Sequence, residues 1–233
     1  MSTPTSFMSE QSPTTTTPWS AVLFDLDGTL TDSAPGITAS LAGALEEIGR
    51  PVADPDSLTV HVGPPLTETF RALGLDDPDE IERATAAYRA RADFTDLHDN
   101  AVFPGMLGLV RALHDAGMPI ALATSKPLGR ATRILDHFGL LPYFTVVGAA
   151  GDDGARNSKA EVIAWVRDEL AARDIDTSNL VMVGDRGYDV LGAEENGIRV
   201  VLVEWGYGSP VEAAGATAVV HSADQLRALL LQA

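Results

Sequence analysis

The feature that most constrains the fold is a set of short apolar runs, each too brief for a helix. Ala21-Val22-Leu23-Phe24 leads directly into Asp25-Leu26-Asp27-Gly28-Thr29. Similar runs recur at residues 120–124, 180–184 and 200–203, with weaker ones at 144–147 and 218–220. Runs that are apolar at every position suit strands buried on both faces, as in a parallel sheet covered by helices on each side. Helical patterns fall between them, at residues 106–116, 128–138 and 159–173. Gly117 and Gly139 stand where C-terminal caps are expected. This alternation predicts an open α/β sheet, in which sites form beyond the carboxyl ends of the strands.

The stretch between the first two strong strands breaks the alternation, because it is far too long for one crossover. Residues 37–48, 65–73 and 79–93 all read as helices. Residues 35–101 are therefore expected to form a helical insert, a cap over the cleft, with residues 19–34 and 102–233 forming the core. Pro35-Gly36 and Pro104-Gly105 are expected as hinge punctuation. The first 18 residues are rich in Ser, Thr and Pro and contain no Lys or Arg. They lack the basic and apolar regions of a signal peptide and read as a flexible tail.

Composition removes several classes of function. There is no cysteine, which excludes disulfides, thiolate catalysis and cysteine–zinc sites and fits a reducing cytoplasm. The formal net charge of −17 argues against a nucleic-acid polymer or an anionic membrane as partner. No apolar run approaches the roughly 20 residues that span a bilayer. With 45% apolar residues, the 233-residue chain can build a sizeable core. Nothing in the sequence sets an oligomeric state.

Four segments carry residues suited to chemistry. A carboxylate at Asp25 can attack phosphorus and form an acyl phosphate, and a second carboxylate at Asp27 can protonate the leaving oxygen and then activate water. Gly28 permits a tight turn through which backbone N–H groups approach a phosphate. In Thr124-Ser125-Lys126-Pro127, a hydroxyl before a helix can donate to a phosphoryl oxygen, although Ser and Thr are equally ordinary N-caps. Lys159 could offset the crowding of anions, although most lysines are solvated. Gly184-Asp185-Arg186-Gly187-Tyr188-Asp189 closes a strand with hard oxygen ligands that suit Mg²⁺. Asp185 is the better ligand, with Asp189 one helical turn on as its supporting partner.

In this order, the four segments resemble the four motifs of the haloacid dehalogenase (HAD) superfamily. The position of the insert resembles the C1-capped, phosphoglycolate phosphatase-like branch. The resemblance implies a Rossmann-like parallel sheet flanked by helices, with an inserted helical cap. It implies that Asp25 is the nucleophile and a metal ligand, and that Asp27 is the general acid/base, its backbone carbonyl a further metal contact. Thr124 and Ser125 match the phosphate-binding position, Lys159 the motif lysine, Asp185 the acidic Mg²⁺ ligand and Asp189 its neighbour. His61-Val-Gly63-Pro-Pro-Leu66 and Trp205-Gly-Tyr-Gly208 are similar to segments of 5′-nucleotidase-like members. For His61, Gly63 and Leu66, substrate contact and a Pro-capped helix start both stand open; for 205–208, packing is expected. His98, His114, His137 and His221 show no metal spacing.

The expected function is a Mg²⁺-dependent phosphomonoesterase acting on a small phosphorylated metabolite, such as phosphoglycolate or a nucleoside monophosphate. A phosphotransferase or mutase, including a kinase-like role, would use the same Asp25 intermediate with another acceptor. A non-catalytic phospholigand-binding protein is the third reading. Binding alone requires neither a nucleophile nor an acid.

Overall fold

The computed structural model describes residues 19–151, 155–156 and 158–232. The expected tail, residues 1–18, lies outside the described residues. In chain order the elements are β1 (Ala21–Phe24), β2 (Thr31–Asp32), α1 (Ala34–Glu47), α2 (Leu66–Ala72), α3 (Pro78–His98), β3 (Ala101–Val102) and α4 (Met106–Asp115). They continue with β4 (Ile120–Pro127), α5 (Leu128–His137), β5 (Val146–Ala150), α6 (Lys159–Ala171), β6 (Leu180–Gly184), α7 (Gly187–Glu195), β7 (Arg199–Val203), β8 (Ala218–Val220) and α8 (Ala223–Leu231).

Among the described residues one six-stranded sheet has the order β5-β4-β1-β6-β7-β8, and every adjacent pair is parallel. The strands are apolar throughout because side chains alternate between two covered faces. Val22, Phe24, Leu122 and Val183 pack under α4, α5 and α8. Leu23, Ala121, Ala123 and Met182 pack under α6 and α7. From β1 the chain builds outward through β4 and β5, then returns to the other side of β1 at β6. The topological switch therefore falls between β1 and β6, where an open α/β sheet places its cleft. Register brings the two strand ends level: Phe24 pairs with Val183, and the N–H of Asp25 donates to Val183 O at 2.9 Å.

The chain between β1 and β4 forms a helical unit with its own apolar centre. Ile37, Leu41 and Leu45 of α1 meet Leu58, Val62, Phe70, Ile81 and Tyr88. Its two connections to the sheet are tied by antiparallel β2 and β3, with Thr31 opposite Val102 and Asp32 opposite Ala101. Pro35 and Gly36 lie inside the first turn of α1, downstream of this tie, so the expected punctuation at 35–36 is helix rather than hinge.

Two boundaries differ from expectation. The strand expected at 144–147 forms at Val146–Ala150 instead. Its small residues hid it: a Cβ at Gly148 would stand 2.1 Å from Val166 Cγ2, so close helix packing replaces bulk there. Helix α3 runs to His98, one and a half turns beyond the expected end, through a stretch with weak apolar periodicity.

Candidate active site

Asp25 leaves the end of β1 and is buried. Opposite it, Lys159 is the first residue of α6, whose start is fixed by a reciprocal cap between Ser158 and Glu161. Far from being solvated, Lys159 is 7% exposed. Its Nζ lies 2.8 Å from Asp25 Oδ1 and 2.8 Å from Asp189 Oδ1, and it donates to Ala123 O at 3.0 Å. The ammonium thus faces three oxygens, two of them on carboxylates.

Asp185 follows β6 and faces Asp25. Its Oδ1 accepts from Thr29 Oγ1 at 3.3 Å and its Oδ2 accepts from the N–H of Tyr207 at 2.7 Å. Asp189 Oδ2 accepts the N–H groups of Asp185 and Arg186, both at 3.1 Å. Asp189 thus braces the loop through Oδ2 and ion-pairs with Lys159 through Oδ1. Gly28, at φ +85°, turns the chain beneath Asp185, and a Cβ there would stand 2.2 Å from Asp185 Oδ2.

Asp25, Asp185 and Asp189 each offer an oxygen within 4.8 Å of the others, and all three are buried. Burial pushes the Asp25 carboxyl up to about 6, with Asp189 and Asp27 adding to the rise and Lys159 opposing it. Asp185 is raised well above the ordinary carboxylate range by burial, then by Asp189 and Asp25, against the N–H of Tyr207 and the charge of Arg186. Burial works against the charge of Lys159, but Asp189 and Asp25 more than offset it and raise its pKa. Three clustered carboxylates, two of them paired with one ammonium, leave an excess of negative charge on hard oxygen donors, a set that could hold a divalent metal ion.

The rest of the site surrounds a cavity of about 220 Å³ between the sheet and the helical insert. Asp27, Ser125 and Lys126 line it from the core, and His61, Gly63 and Leu66 from the insert. Thr124 is buried at the sheet end, its Oγ1 accepting the N–H of Lys126 at 3.2 Å. A second cavity of about 180 Å³ shares Ser125 and Pro65 with the first and reaches Lys159. Burial and the nearby Arg186 lower the pKa of His61 from its usual value. Every residue singled out from the four segments thus lies at the carboxyl end of the sheet, and the three insert residues face the same cleft.

The structure adds residues that sequence reasoning passed over. Lys126 Nζ pairs with Asp27 Oδ1 at 2.9 Å. Tyr207, expected only to pack, accepts the N–H groups of Ser33 and Ala34 at 2.7 and 2.9 Å and donates to Asp32 Oδ1 at 2.9 Å. Arg186 is 9% exposed and reaches the insert. Lys126 and Arg186 sit inside segments already singled out, but a lone cation in a sequence reads as solvated. By contrast, His98 and His137 end their helices, and His221 is exposed beside Glu204.

The family model of haloacid dehalogenase-like hydrolases matches residues 22–203, a span that begins in β1, ends with β7 and contains the whole acidic cluster. The chain belongs to that family. It is 45% identical over 213 residues to the Tyrosine-protein kinase PtkA of Mycobacterium tuberculosis, covering 90% of this chain and 72% of the relative. It is 38% identical over 192 residues to a 5′-nucleotidase of Pseudomonas aeruginosa, covering 82% and 85%. The crystal structure of a predicted phosphatase from Clostridium acetobutylicum superposes with a TM-score of 0.86 at 37% identity, covering 92% of this chain and 99% of that one.

Proposed function

We propose that this protein is a Mg²⁺-dependent phosphomonoesterase that hydrolyses a small phosphorylated metabolite through a phosphoryl group carried on Asp25. One observation carries the reading. Lys159 is buried between Asp25 and Asp189, beside Asp185, so a nucleophile, a fixed cation and an acidic ligand meet at the switch point of the sheet. Phosphatase names among the relatives and solved structures support it.

The mechanism follows from the residues present. Mg²⁺ held by Asp25, Asp185 and the Asp27 carbonyl would screen the repulsion between the carboxylate and the phosphate dianion. Asp25 attacks phosphorus, the bond to the leaving oxygen breaks, and Asp27 gives that oxygen a proton. Lys159 and the Thr124 and Ser125 donors stabilise the charge spread over the equatorial oxygens. Asp27, now ionised, takes a proton from water, which attacks phosphorus and frees Asp25. None of these groups reads the leaving group; the insert is assigned that task as a cap that excludes water. The reaction is assigned to the cytoplasm. Among the described residues no helix is long and apolar enough to cross a membrane.

The relative named a tyrosine-protein kinase favours a second reading, in which phospho-Asp25 passes its group to a hydroxyl acceptor. Both readings share every core residue, so the acceptor decides. The test is phosphate release from a panel of phosphomonoesters, with Mg²⁺ and with EDTA, run with and without candidate acceptor hydroxyls. Release that needs Mg²⁺ and Asp25 supports the hydrolase. Label appearing on an acceptor, with little free phosphate, supports the transferase. Neither in a folded protein leaves the phospholigand-binding reading.

A further inference from the structure

Arg186 stands between Asp185 and α7, yet its guanidinium points away from the acidic cluster and into the helical insert. Nη1 makes a close hydrogen bond to Val62 O, and Nη2 donates to Val60 O at 3.4 Å. On the core side, Nε donates to Glu212 Oε2 at 3.0 Å. Glu212 is itself held, accepting the N–H of Gly187 at 2.9 Å and the N–H and Oγ of Ser209 at 2.9 and 3.1 Å. Burial raises the Glu212 carboxyl, but the Gly187 and Ser209 N–H groups and Arg186 outweigh it and hold it down at about 2. A fixed carboxylate therefore aims a planar fork of donors across the boundary between core and insert.

The segment it grips is the one whose opposite side faces the cleft. Val60 and Val62 present their carbonyls to Arg186, while His61, Gly63 and Leu66 line the cavity with Asp27 and Ser125. Gly63 has φ +114°, and a Cβ there would lie 3.4 Å from Arg186 Cγ, so the loop turns against the arginine stem. Tyr188 Oη also crosses this boundary, to Glu68 Oε2 at 3.3 Å, but that contact is exposed, whereas the Arg186 bond to Val62 O is buried. Because Arg186 binds backbone carbonyls, it sets where the loop sits, whatever side chains the loop carries. Its own N–H is held by Asp189, so loop and acidic cluster share one rigid segment.

The geometry points to Arg186 as a positioning residue, which holds the 60–66 loop of the insert over the leaving-group side of the cleft. This rests on the phosphatase reading for its kinetic consequence but not for its structural one. The test uses the full chain with Arg186→Ala and Arg186→Lys. Amide exchange over residues 55–66 should quicken by about fivefold or more in Arg186→Ala, with α6 unchanged. For the best phosphomonoester, kcat/KM should fall by about tenfold or more, chiefly through KM, while inhibition by inorganic phosphate, which needs only the core, shifts by less than about twofold. Lysine should not rescue, since one ammonium cannot replace a fork gripping two carbonyls and Glu212. Unchanged exchange at 55–66 in a folded variant overturns the proposal. So does an equal loss of phosphate and substrate affinity, which would place the role of Arg186 in the acidic loop. Glu212→Gln, which removes the charge partner and keeps the guanidinium, serves if Arg186→Ala does not fold; faster exchange is again expected, and unchanged exchange again overturns it. If no phosphomonoester is turned over, the phosphatase reading fails, while the exchange measurement still decides on Arg186.

Discussion

The Lys126 ammonium lies 2.9 Å from Oδ1 of Asp27, with the two side chains only 3% and 13% exposed. The residue assigned the proton transfers is thus held by a cation on the neighbouring strand. This contact fixes the direction in which the Asp27 carboxyl faces the cavity. Lys126→Met should leave a poorly solvated carboxylate without that partner, a loss of about 3 kcal/mol in folding stability. Turnover should drop by about tenfold or more, because a mobile acid transfers protons less well. Urea unfolding and steady-state kinetics on the same variant check both; unchanged kcat would show that Asp27 needs no such support.

Asp25→Asn should fold and show no detectable turnover. An amide is too poor a nucleophile to displace an alkoxide from phosphorus. Phosphate-release assays paired with circular dichroism decide it, and full activity in a folded variant would remove Asp25 from the mechanism.

The acidic cluster should make the metal-free protein pH-sensitive. The folded state holds the Asp25 proton more tightly than the unfolded chain does, at about 6 against 3.8. Stability from this group is therefore full below about pH 4 and is lost as pH rises through about 6. Asp185 shifts in the same direction. Lys159, with its raised pKa, contributes fully throughout the neutral range, and that contribution is lost only at alkaline pH. In EDTA, the Tm of the wild type relative to Asp25→Asn should fall across that window, and Mg²⁺ should restore it most at the upper end. Thermal melts with and without Mg²⁺ measure this; a metal effect that does not grow with pH would count against the cluster as the binding site.

Tyr207→Phe removes one hydroxyl that serves two N–H groups at the start of α1 and the Asp32 carboxylate. The loss should be about 1–3 kcal/mol in unfolding free energy, the range for leaving partly buried polar groups unpaired. The Tyr207 N–H to Asp185 remains, so the apparent Mg²⁺ midpoint should stay close to wild type. A large shift in that midpoint would show that the hydroxyl, and not the backbone, supports Asp185.

Leu66→Ala and His61→Ala should change the ranking of phosphomonoesters by kcat/KM, because both side chains line the cavity beside Asp27 while the core serves only the phosphoryl group. Equal slowing of every substrate would make the 60–66 loop a structural element with no part in selection.

The order of the sheet's apolar runs, the long break between the first two strong strands and the acidic residues at strand ends were all legible before folding was considered. Each is a local pattern: continuous apolar runs, helical periodicity and a carboxylate directly after a strand. That is why Asp25, Asp27, Asp185 and Asp189 stood out locally, whereas Lys159 stood out only through the resemblance of the four ordered segments to a known family. What the pattern could not carry is burial and partnership between residues far apart in the chain. Nothing adjacent to Lys126 foretells its pairing with Asp27, 99 positions earlier. Arg186 reaches Val60 across 126 positions, and Tyr207 meets Ser33 across 174. A cation or a tyrosine has the same local signature whether solvated or buried. The parallel register that sets β1 beside β6, and the insert folded back over their ends, decide which of them becomes part of the site.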